Sequence, residues 1–191
     1  MPTQETEGLL SPWIASIRLR AAADQITQGS VVLDLACGSG RLREFLKADC
    51  TYLGVDRQPP PSEAASMEFL NQDLSQADAF ERIQEWLPHP PTVVTMLAFI
   101  EHVTEPIHFL KAAKGLLPKG GSVILTTPHP IGRKLHDSLA SVYLCSRSGA
   151  AEHEDFLDEN DLRTLAEDAG FADISYQRFL GGLNQLAVLR A

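Results

Sequence analysis

Short apolar stretches alternate with helical patterns along most of the chain. The first stretch, 31–36, is nearly continuous and rich in β-branched residues, which is typical of a strand buried on both faces of a parallel sheet. Residues 52–55, 92–97 and 122–126 resemble it. The segments between them, such as 76–87 and 105–117, carry apolar residues at helical spacing. This order predicts βαβ units, and therefore an α/β fold with helices on both faces of a mainly parallel sheet.

A helix is also predicted at the N-terminal end, over 12–26, with Ser11 as its cap and Pro12 at its first position. Two apolar stripes fit it, one through Trp13, Ile17 and Ala21 and the other through Leu19, Ala22 and Ile26. The helix over 105–117 is expected to be capped by Thr104, with Pro106 in its first turn.

The connection after the second strand departs from the pattern. Residues 57–62 contain three consecutive prolines where a helix is expected. Because proline lacks an amide hydrogen and clashes with the preceding helical turn, a helix cannot form through them. We therefore predict a stunted or absent helix here, followed by a strand near 67–70.

The C-terminal end predicts a helix and then a hairpin. Asp158 caps a helix that runs to Ala169, and Leu157 and Leu162 have the spacing of a hydrophobic staple. Two strands follow, 174–179 and 183–189, separated by Gly181-Gly182. Because a link this short joins only antiparallel neighbours, the sheet is expected to end in one antiparallel hairpin.

Composition narrows the classes of function. A chain of 191 residues suits a single domain. Its 25 acidic against 16 basic residues give a net charge of −9, which makes nucleic acid an unlikely partner. The three cysteines are odd in number and form no CxxC pair, so a disulfide framework or a cysteine-rich zinc site is not expected. Since the sequence shows neither a basic leader nor a membrane-spanning apolar run, the expected location is the cytoplasm.

A Gly-x-Gly turn follows the first strand at Gly38 and Gly40. Such a turn allows the backbone to approach a ligand closely, although on its own it is weak evidence for a site. Dinucleotide enzymes add a third glycine three residues later, where this chain has Arg43. The turn therefore indicates a ligand other than NAD.

Three acidic residues sharpen this interpretation. Asp56 ends the second strand, where a carboxylate can accept hydrogen bonds from both hydroxyl groups of a ribose. Asp34 lies inside the first strand, where it would repel a pyrophosphate but attract an ammonium or sulfonium group. Asp73, after the third strand, can accept a hydrogen bond from an adenine amino group. Each alone can be a cap or turn residue, but three on successive strands favour a cationic nucleoside ligand.

These segments together resemble the successive motifs of the class I S-adenosylmethionine-dependent methyltransferases. The resemblance rests on VVLDLACGSG at 31–40, YLGVD at 52–56, NQDL at 71–74 and LLPKGGSVILTT at 116–127, and it extends over about 28–190. It implies a single Rossmann-like domain over 1–191, with a seven-stranded sheet of six parallel strands and one antiparallel strand. It also implies that a helix over 9–28 covers the cofactor site.

The resemblance also implies roles for particular residues. Gly38 and Gly40 would shape the turn around S-adenosylmethionine, Asp34 would lie near its amino-acid end, Asp56 would bind the ribose and Asp73 the adenine. Further cofactor contacts are implied at Ala36, Arg57, Leu74 and Leu97. The triple proline departs from the family pattern at the edge of the adenine pocket.

Glu101 and His102 follow the fourth strand, near the expected position of the methyl group. The pair resembles one in ubiquinone-pathway O-methyltransferases and in enzymes that methylate the 3′ end of small RNAs. Some of those enzymes bind a metal through Glu-x-x-Glu-His and a distant histidine, and His153 lies in a segment similar to the one that carries that histidine. Here Ala98 replaces the first glutamate, so no metal is predicted. A structural role stays open beside our preferred hypothesis, in which His102 or His153 is the general base, oriented by Glu101.

The acceptor is expected to be a small molecule that is methylated on oxygen, with nitrogen and carbon acceptors left open. Residues 128–151 form an insert that would cover the pocket and select the acceptor. Arg18 and Arg20 are candidates for binding the cofactor carboxylate or the acceptor, although the favoured interpretation is that they are exposed helix residues. The alternatives are a catalytically silent cofactor-binding module that acts through a protein partner and, less favoured, an NAD(P)-dependent oxidoreductase.

Overall fold

A computed structural model describes residues 11–60, 67–131 and 157–191. These residues contain four α-helices and seven strands, with no α-helix between β1 and β3 or between β6 and β7. The helices are α1 (Ser11–Ala23), α2 (Ala79–Trp86), α3 (Pro106–Leu116) and α4 (Glu159–Asp168). The strands are β1 (Val31–Leu35), β2 (Thr51–Asp56), β3 (Glu68–Asn71), β4 (Val93–Leu97), β5 (Ser122–Pro128), β6 (Asp173–Phe179) and β7 (Asn184–Arg190).

The strands form one sheet in the order β3-β2-β1-β4-β5-β7-β6. All pairs from β3 to β5 are parallel, and β7 is antiparallel to both of its neighbours, β5 and β6. The predicted arrangement of six parallel strands and one antiparallel strand is confirmed. Since the strand order reverses between β1 and β4, the crevice outside their carboxyl ends is the position where ligands bind in open α/β sheets.

Helices cover both faces of the sheet. On one face α2, α3 and α4 pack on a large core that includes Leu33, Leu35 and Met96. On the other face α1 and a short 3-10 helix, Arg41–Phe45, pack on a smaller core around Val32 and Ile124. Because β1 is buried on both sides, its near-continuous apolar sequence is accounted for.

Helix α1 buries the second of its two predicted stripes. Ala22 and Ile26 are fully buried, while Trp13, from the other stripe, is 59% exposed. The helix ends at Ala23, and the chain continues to Ile26 in turns closed by backbone hydrogen bonds such as that from the Ile26 amide to the Ala23 carbonyl. At its C-terminal end the helix is therefore shorter than the predicted range 9–28.

Several local predictions are corrected. The connection after β1 forms only the 3-10 helix rather than an α-helix. Helix α2 begins at Ala79, after Asp78, and not at Gln76. Thr104 does not cap α3, because Glu105 occupies the N-cap position and forms no capping hydrogen bond through its side chain. Beyond β2, residues 57–60 are not helical, as the prolines predict, and 61–66 lie outside the described residues.

The C-terminal elements follow the prediction more closely. The Asp158 side chain accepts hydrogen bonds from the amides of Asn160 and Asp161, and Asp161 accepts one in return from the Asp158 amide. Leu157 and Leu162 pack in the same core. The hairpin link is longer than predicted, because Leu180, Gly181 and Gly182 form a turn with positive φ angles and β7 begins only at Asn184. The two strands remain antiparallel neighbours.

Candidate active site

The loop after β1, at the crevice, contains three residues in the left-handed backbone conformation. Ala36, Gly38 and Gly40 have φ angles of 56°, 55° and 73°. A Cβ atom on Gly40 would lie 2.4 Å from the Met67 sulfur, so a side chain does not fit there without displacing Met67. A Cβ atom on Gly38 would meet nothing within 4 Å. The loop is therefore packed at Gly40 and open at Gly38, where a ligand can approach the backbone.

Ala36 is in a conformation that glycine adopts more easily. The left-handed region costs a residue with a Cβ about 1–2 kcal/mol, part of which glycine loses again through its more flexible unfolded state. We expect Ala36→Gly to increase the free energy of unfolding by about 0.5–1 kcal/mol, measured by urea denaturation. As a control, Ala113→Gly in α3 should lower it by about 1 kcal/mol or more. A destabilised Ala36→Gly variant would contradict the expectation.

Asp56, the last residue of β2, connects the loop after β1 to the loop after β2 through hydrogen bonds. Its carboxylate accepts hydrogen bonds from the Gly38 amide at 2.8 Å and from the Gln58 amide at 3.0 Å. Each oxygen thus receives one backbone donor and keeps further acceptor capacity. The side chain is half-buried at the carboxyl end of the sheet, so it can also accept hydrogen bonds from a diol.

Asp73 lies beside Asp56, two residues beyond β3. One of its oxygens accepts hydrogen bonds from the Ser75 amide and hydroxyl, which lower the pKa of Asp73. The adjoining cavity has a volume of about 530 Å³ and is lined by Arg57, Gln58, Asn71, Gln72, Asp73, Gln76 and Arg82. Arg57, which is predicted to contact the cofactor, is among these lining residues. Leu74 is buried in the core, so only its backbone remains for a ligand.

Asp34 is buried beneath the loop and is only 4% exposed. Its carboxylate accepts hydrogen bonds from the Tyr52 hydroxyl at 2.7 Å and from the Thr95 hydroxyl at 2.5 Å. Burial raises the pKa of Asp34 to about 6, although the two hydroxyl groups act in the opposite direction. The charged form is thus held inside the protein at a cost in stability.

The cost of burying the Asp34 carboxylate predicts how the free energy of unfolding changes with pH. Because the pKa of Asp34 is raised from 3.8 in the fold, the folded state loses stability as pH rises through that range, and the loss is complete above about pH 6. We expect Asp34→Asn to increase the free energy of unfolding by about 2–3 kcal/mol at pH 8 and much less near pH 4. Denaturant titrations at the two pH values measure this, with exposed Asp24→Asn as the control. An equal effect at both pH values would refute the assignment.

Glu101 follows β4, and Thr127 lies near the carboxyl end of β5. Both are buried, and within the described part of the chain the Glu101 Oε2 and Thr127 Oγ1 atoms have no hydrogen-bond partner. Burial raises the pKa of Glu101, while the nearby Thr127 hydroxyl and the charges of His102 and Arg18 act against this to a smaller extent. The pKa of Arg18, on α1, is lowered by its own burial.

Of the two predicted catalytic histidines, His102 lies in the described part of the chain. The His102 side chain is exposed, although it is close enough to influence the Glu101 carboxyl. His153 and most of the predicted insert lie outside the described residues. In the part of the chain that the structure describes, no three His, Cys, Asp or Glu side chains are grouped so that they could bind a metal ion.

The structure adds residues that the sequence pattern did not single out. Tyr52 and Thr95 reach Asp34 from the two strands beside β1, and Thr127 lies beside Glu101. Leu97, a predicted cofactor contact, ends β4 and is half-buried, and Ala98 follows it with a φ of 54°. The Ala98 amide donates to the Thr126 carbonyl at 2.9 Å, which fixes the start of the loop that carries Glu101.

Comparison with known proteins decides the family. A family model described as a methyltransferase domain matches residues 10–176. The chain belongs to this family. Its fold and motifs are those of the class I S-adenosylmethionine-dependent methyltransferases, as the sequence resemblance predicts.

Two relatives and one solved structure illustrate the likeness. A ubiquinone biosynthesis O-methyltransferase from Pseudomonas paraeruginosa is 34% identical over 104 residues, which cover 52% of this chain and 44% of the relative. One from Idiomarina loihiensis is 26% identical over 157 residues, covering 77% and 63%. The structure of a SAM dependent methyltransferase from Archaeoglobus fulgidus superposes with a TM-score of 0.70 at 14% identity, covering 94% of each chain. The chain spans about half the length of the first curated relative.

The residues present fit S-adenosylmethionine, the cofactor of this family. Asp56 and Asp73 offer carboxylate acceptors for hydroxyl and amino donors, Gly38 leaves open space above the loop, and Asp34 supplies negative charge for a cation. The cavity beside Asp73 is within the range of about 300–1,000 Å³ that is usual for small-molecule sites.

Proposed function

We propose that this chain transfers a methyl group from S-adenosylmethionine to an oxygen atom of a small-molecule acceptor. The observation on which the proposal rests is that polar side chains form two groups along the carboxyl edge of the sheet. Asp34 lies within β1, Asp56 ends β2 and Asp73 follows β3. Glu101 follows β4 and Thr127 lies in β5, and among the described residues the Glu101 Oε2 and Thr127 Oγ1 atoms have no hydrogen-bond partner. The first group suits the cofactor and the second the acceptor.

In this proposal the chain mainly positions the reactants and removes a proton. Bound S-adenosylmethionine supplies a methyl group that is already activated by the sulfonium charge. The side chains outside β4 then have two tasks, to orient the acceptor oxygen and to take its proton as the new bond forms. We assign the proton to His102 or His153, with Glu101 orienting the imidazole. No metal is required in this assignment.

The acceptor is proposed to be small and not a nucleic acid, because the net charge of −9 does not favour binding to phosphates. The ubiquinone biosynthesis O-methyltransferases among the relatives support an oxygen acceptor. No helix among the described residues is long and apolar enough to cross a membrane. The cytoplasmic location stays a prediction from the sequence.

The proposal is tested by incubating the protein with methyl-labelled S-adenosylmethionine and fractionated metabolite extracts. We expect a labelled methyl ether in at least one small-molecule fraction, and no label in nucleic acid. Asp56→Ala protein is the negative control. If the cofactor binds but no fraction is labelled, the alternative of a catalytically silent cofactor-binding module replaces the proposal.

A further inference from the structure

Asp34 is surrounded by hydroxyl groups rather than by positive charge. Tyr52, on β2, and Thr95, on β4, donate to different oxygens of its carboxylate, at 2.7 and 2.5 Å. These distances fall in the range of charge-assisted O–H···O⁻ hydrogen bonds. No basic side chain of the described residues is among the groups that influence the pKa of Asp34. The two hydroxyl groups therefore provide its direct stabilisation as an anion.

The sheet register makes this contact specific. Asp34 is paired with Thr95 across the parallel β1–β4 ladder and with Gly54 across β1–β2. Because Gly54 has no side chain beyond its backbone, the Tyr52 ring can reach over β2 toward Asp34. A Cβ atom on Gly54 would lie 2.9 Å from the Cys37 sulfur and 3.4 Å from the Tyr52 ring. The pocket for the Tyr52 hydroxyl is thus built by the strand next to the loop.

Two other titratable groups face this carboxyl group. Asp56, at the end of β2, raises the pKa of Asp34 through its charge. The Cys37 thiol lies in the loop itself, and burial raises the pKa of Cys37 to about 12. Burial and the Asp34 charge also raise the pKa of Tyr52 far above its usual value. Between pH 5 and 8 the thiol and the phenol therefore stay neutral, and the Tyr52 hydroxyl remains a donor.

We propose that Tyr52 and Thr95 are positioning residues of the cofactor site, whose hydroxyl groups keep the Asp34 carboxylate charged beneath the 36–40 loop and so set the lower pH limit of cofactor binding. The inference rests on the proposed function, because it needs the ammonium group at the amino-acid end of the cofactor near Asp34. When Asp34 takes up a proton, the attraction to that cation is lost. Cofactor affinity should then fall as pH drops below about 6.

The test measures binding of S-adenosylhomocysteine by calorimetry from pH 5 to pH 8, with circular dichroism to check the fold at each pH. In the wild-type protein the affinity should fall about tenfold per pH unit below the midpoint. In Tyr52→Phe and Thr95→Val the midpoint should move up by about one pH unit, because each variant loses one hydrogen bond to the charged form. Thr95→Ser keeps its hydroxyl and should retain the wild-type midpoint.

Tyr176→Phe is the matched control for Tyr52→Phe. The Tyr176 hydroxyl donates to Gln185 at 2.9 Å, far from Asp34 in the sheet order, so its removal should leave the midpoint unchanged. Asp34→Asn should bind weakly with no midpoint between pH 5 and 8. An affinity that falls equally at all pH values in Tyr52→Phe and Thr95→Val, or an unmoved midpoint, overturns the inference. Wild-type protein that binds no S-adenosylhomocysteine at any pH overturns the proposed function, and this inference with it.

Discussion

Replacing Asp56 with alanine should weaken binding of S-adenosylhomocysteine by about 100-fold or more. In the proposed complex this carboxylate accepts hydrogen bonds from the ribose hydroxyl groups, and each hydrogen bond to a charged group contributes about 1.5–3 kcal/mol. The variant also loses the hydrogen bonds to the Gly38 and Gln58 amides at 2.8 and 3.0 Å. The loop that should receive the cofactor then loses one of its supports. Isothermal calorimetry at pH 8 measures the change.

Two variants distinguish loss of the ribose contact from loss of the loop. Asp56→Asn keeps one oxygen acceptor and should be weakened less than Asp56→Ala. Asp173→Ala removes an exposed carboxylate on β6, remote from the crevice, and should bind as the wild-type protein does. If Asp56→Ala binds with wild-type affinity, the assignment of the ribose to β2 is wrong. Tight binding of NAD instead of either cofactor form would favour the oxidoreductase alternative.

The succession of strands and helices could be predicted because it depends on local periodicity. A strand covered on both faces needs apolar residues at nearly every position, and β1, β4 and β5 have them. The antiparallel end of the sheet was predictable for a similar reason, since the turn residues lie between two apolar stretches. The length of the link between β6 and β7 could not be predicted, because Leu180 adopts a φ of 52°. Glycine prefers this conformation, and a leucine in the sequence does not indicate it.

The helix after β1 shows where local pattern is insufficient. Leu42 is fully buried and Phe45 and Leu46 pack beside it, which is compatible with an α-helix or a 3-10 helix. The choice depends on packing against α1, where the Arg41 guanidinium donates to the Ser16 hydroxyl at 3.2 Å. Similarly, the sequence permits two stripes on α1, and only contact with the sheet selects Ala22 and Ile26.

The candidate site likewise contains residues that the sequence could identify and residues that only the structure identifies. Asp34, Asp56 and Glu101 could be singled out because acidic residues interrupt or follow apolar strands. Tyr52 and Thr95 could not, since each is an ordinary strand residue until the register places it beside Asp34. Thr127 becomes notable only when its burial next to Glu101 is known. A residue whose side chain contacts a neighbouring strand produces no periodic signal in the sequence of its own strand.

The structure also distinguishes the two residues of the Glu101-His102 pair by their burial. Glu101 is buried and anchored in the loop after β4, whereas the His102 side chain is exposed to solvent. An exposed imidazole can exchange its proton with water after each turnover, and a buried carboxyl beside it can limit its orientations. This arrangement suits a base and its orienting group better than two ligands of one metal ion.

His102→Ala should therefore lower turnover by the roughly 10²–10⁴-fold that is typical of a lost general base, while affinity for S-adenosylhomocysteine stays within about twofold of wild type. Turnover is measured with the acceptor from the labelling experiment. His153→Ala, made in parallel, identifies which histidine takes the proton, and His89→Ala, an exposed histidine before β4 at the amino ends of the parallel strands, is the control. A chelator should change turnover little, because Ala98 replaces one ligand of the metal set. If turnover collapses with chelator and returns with a divalent ion, the histidines are ligands; if both alanine variants keep full activity, positioning alone drives the transfer.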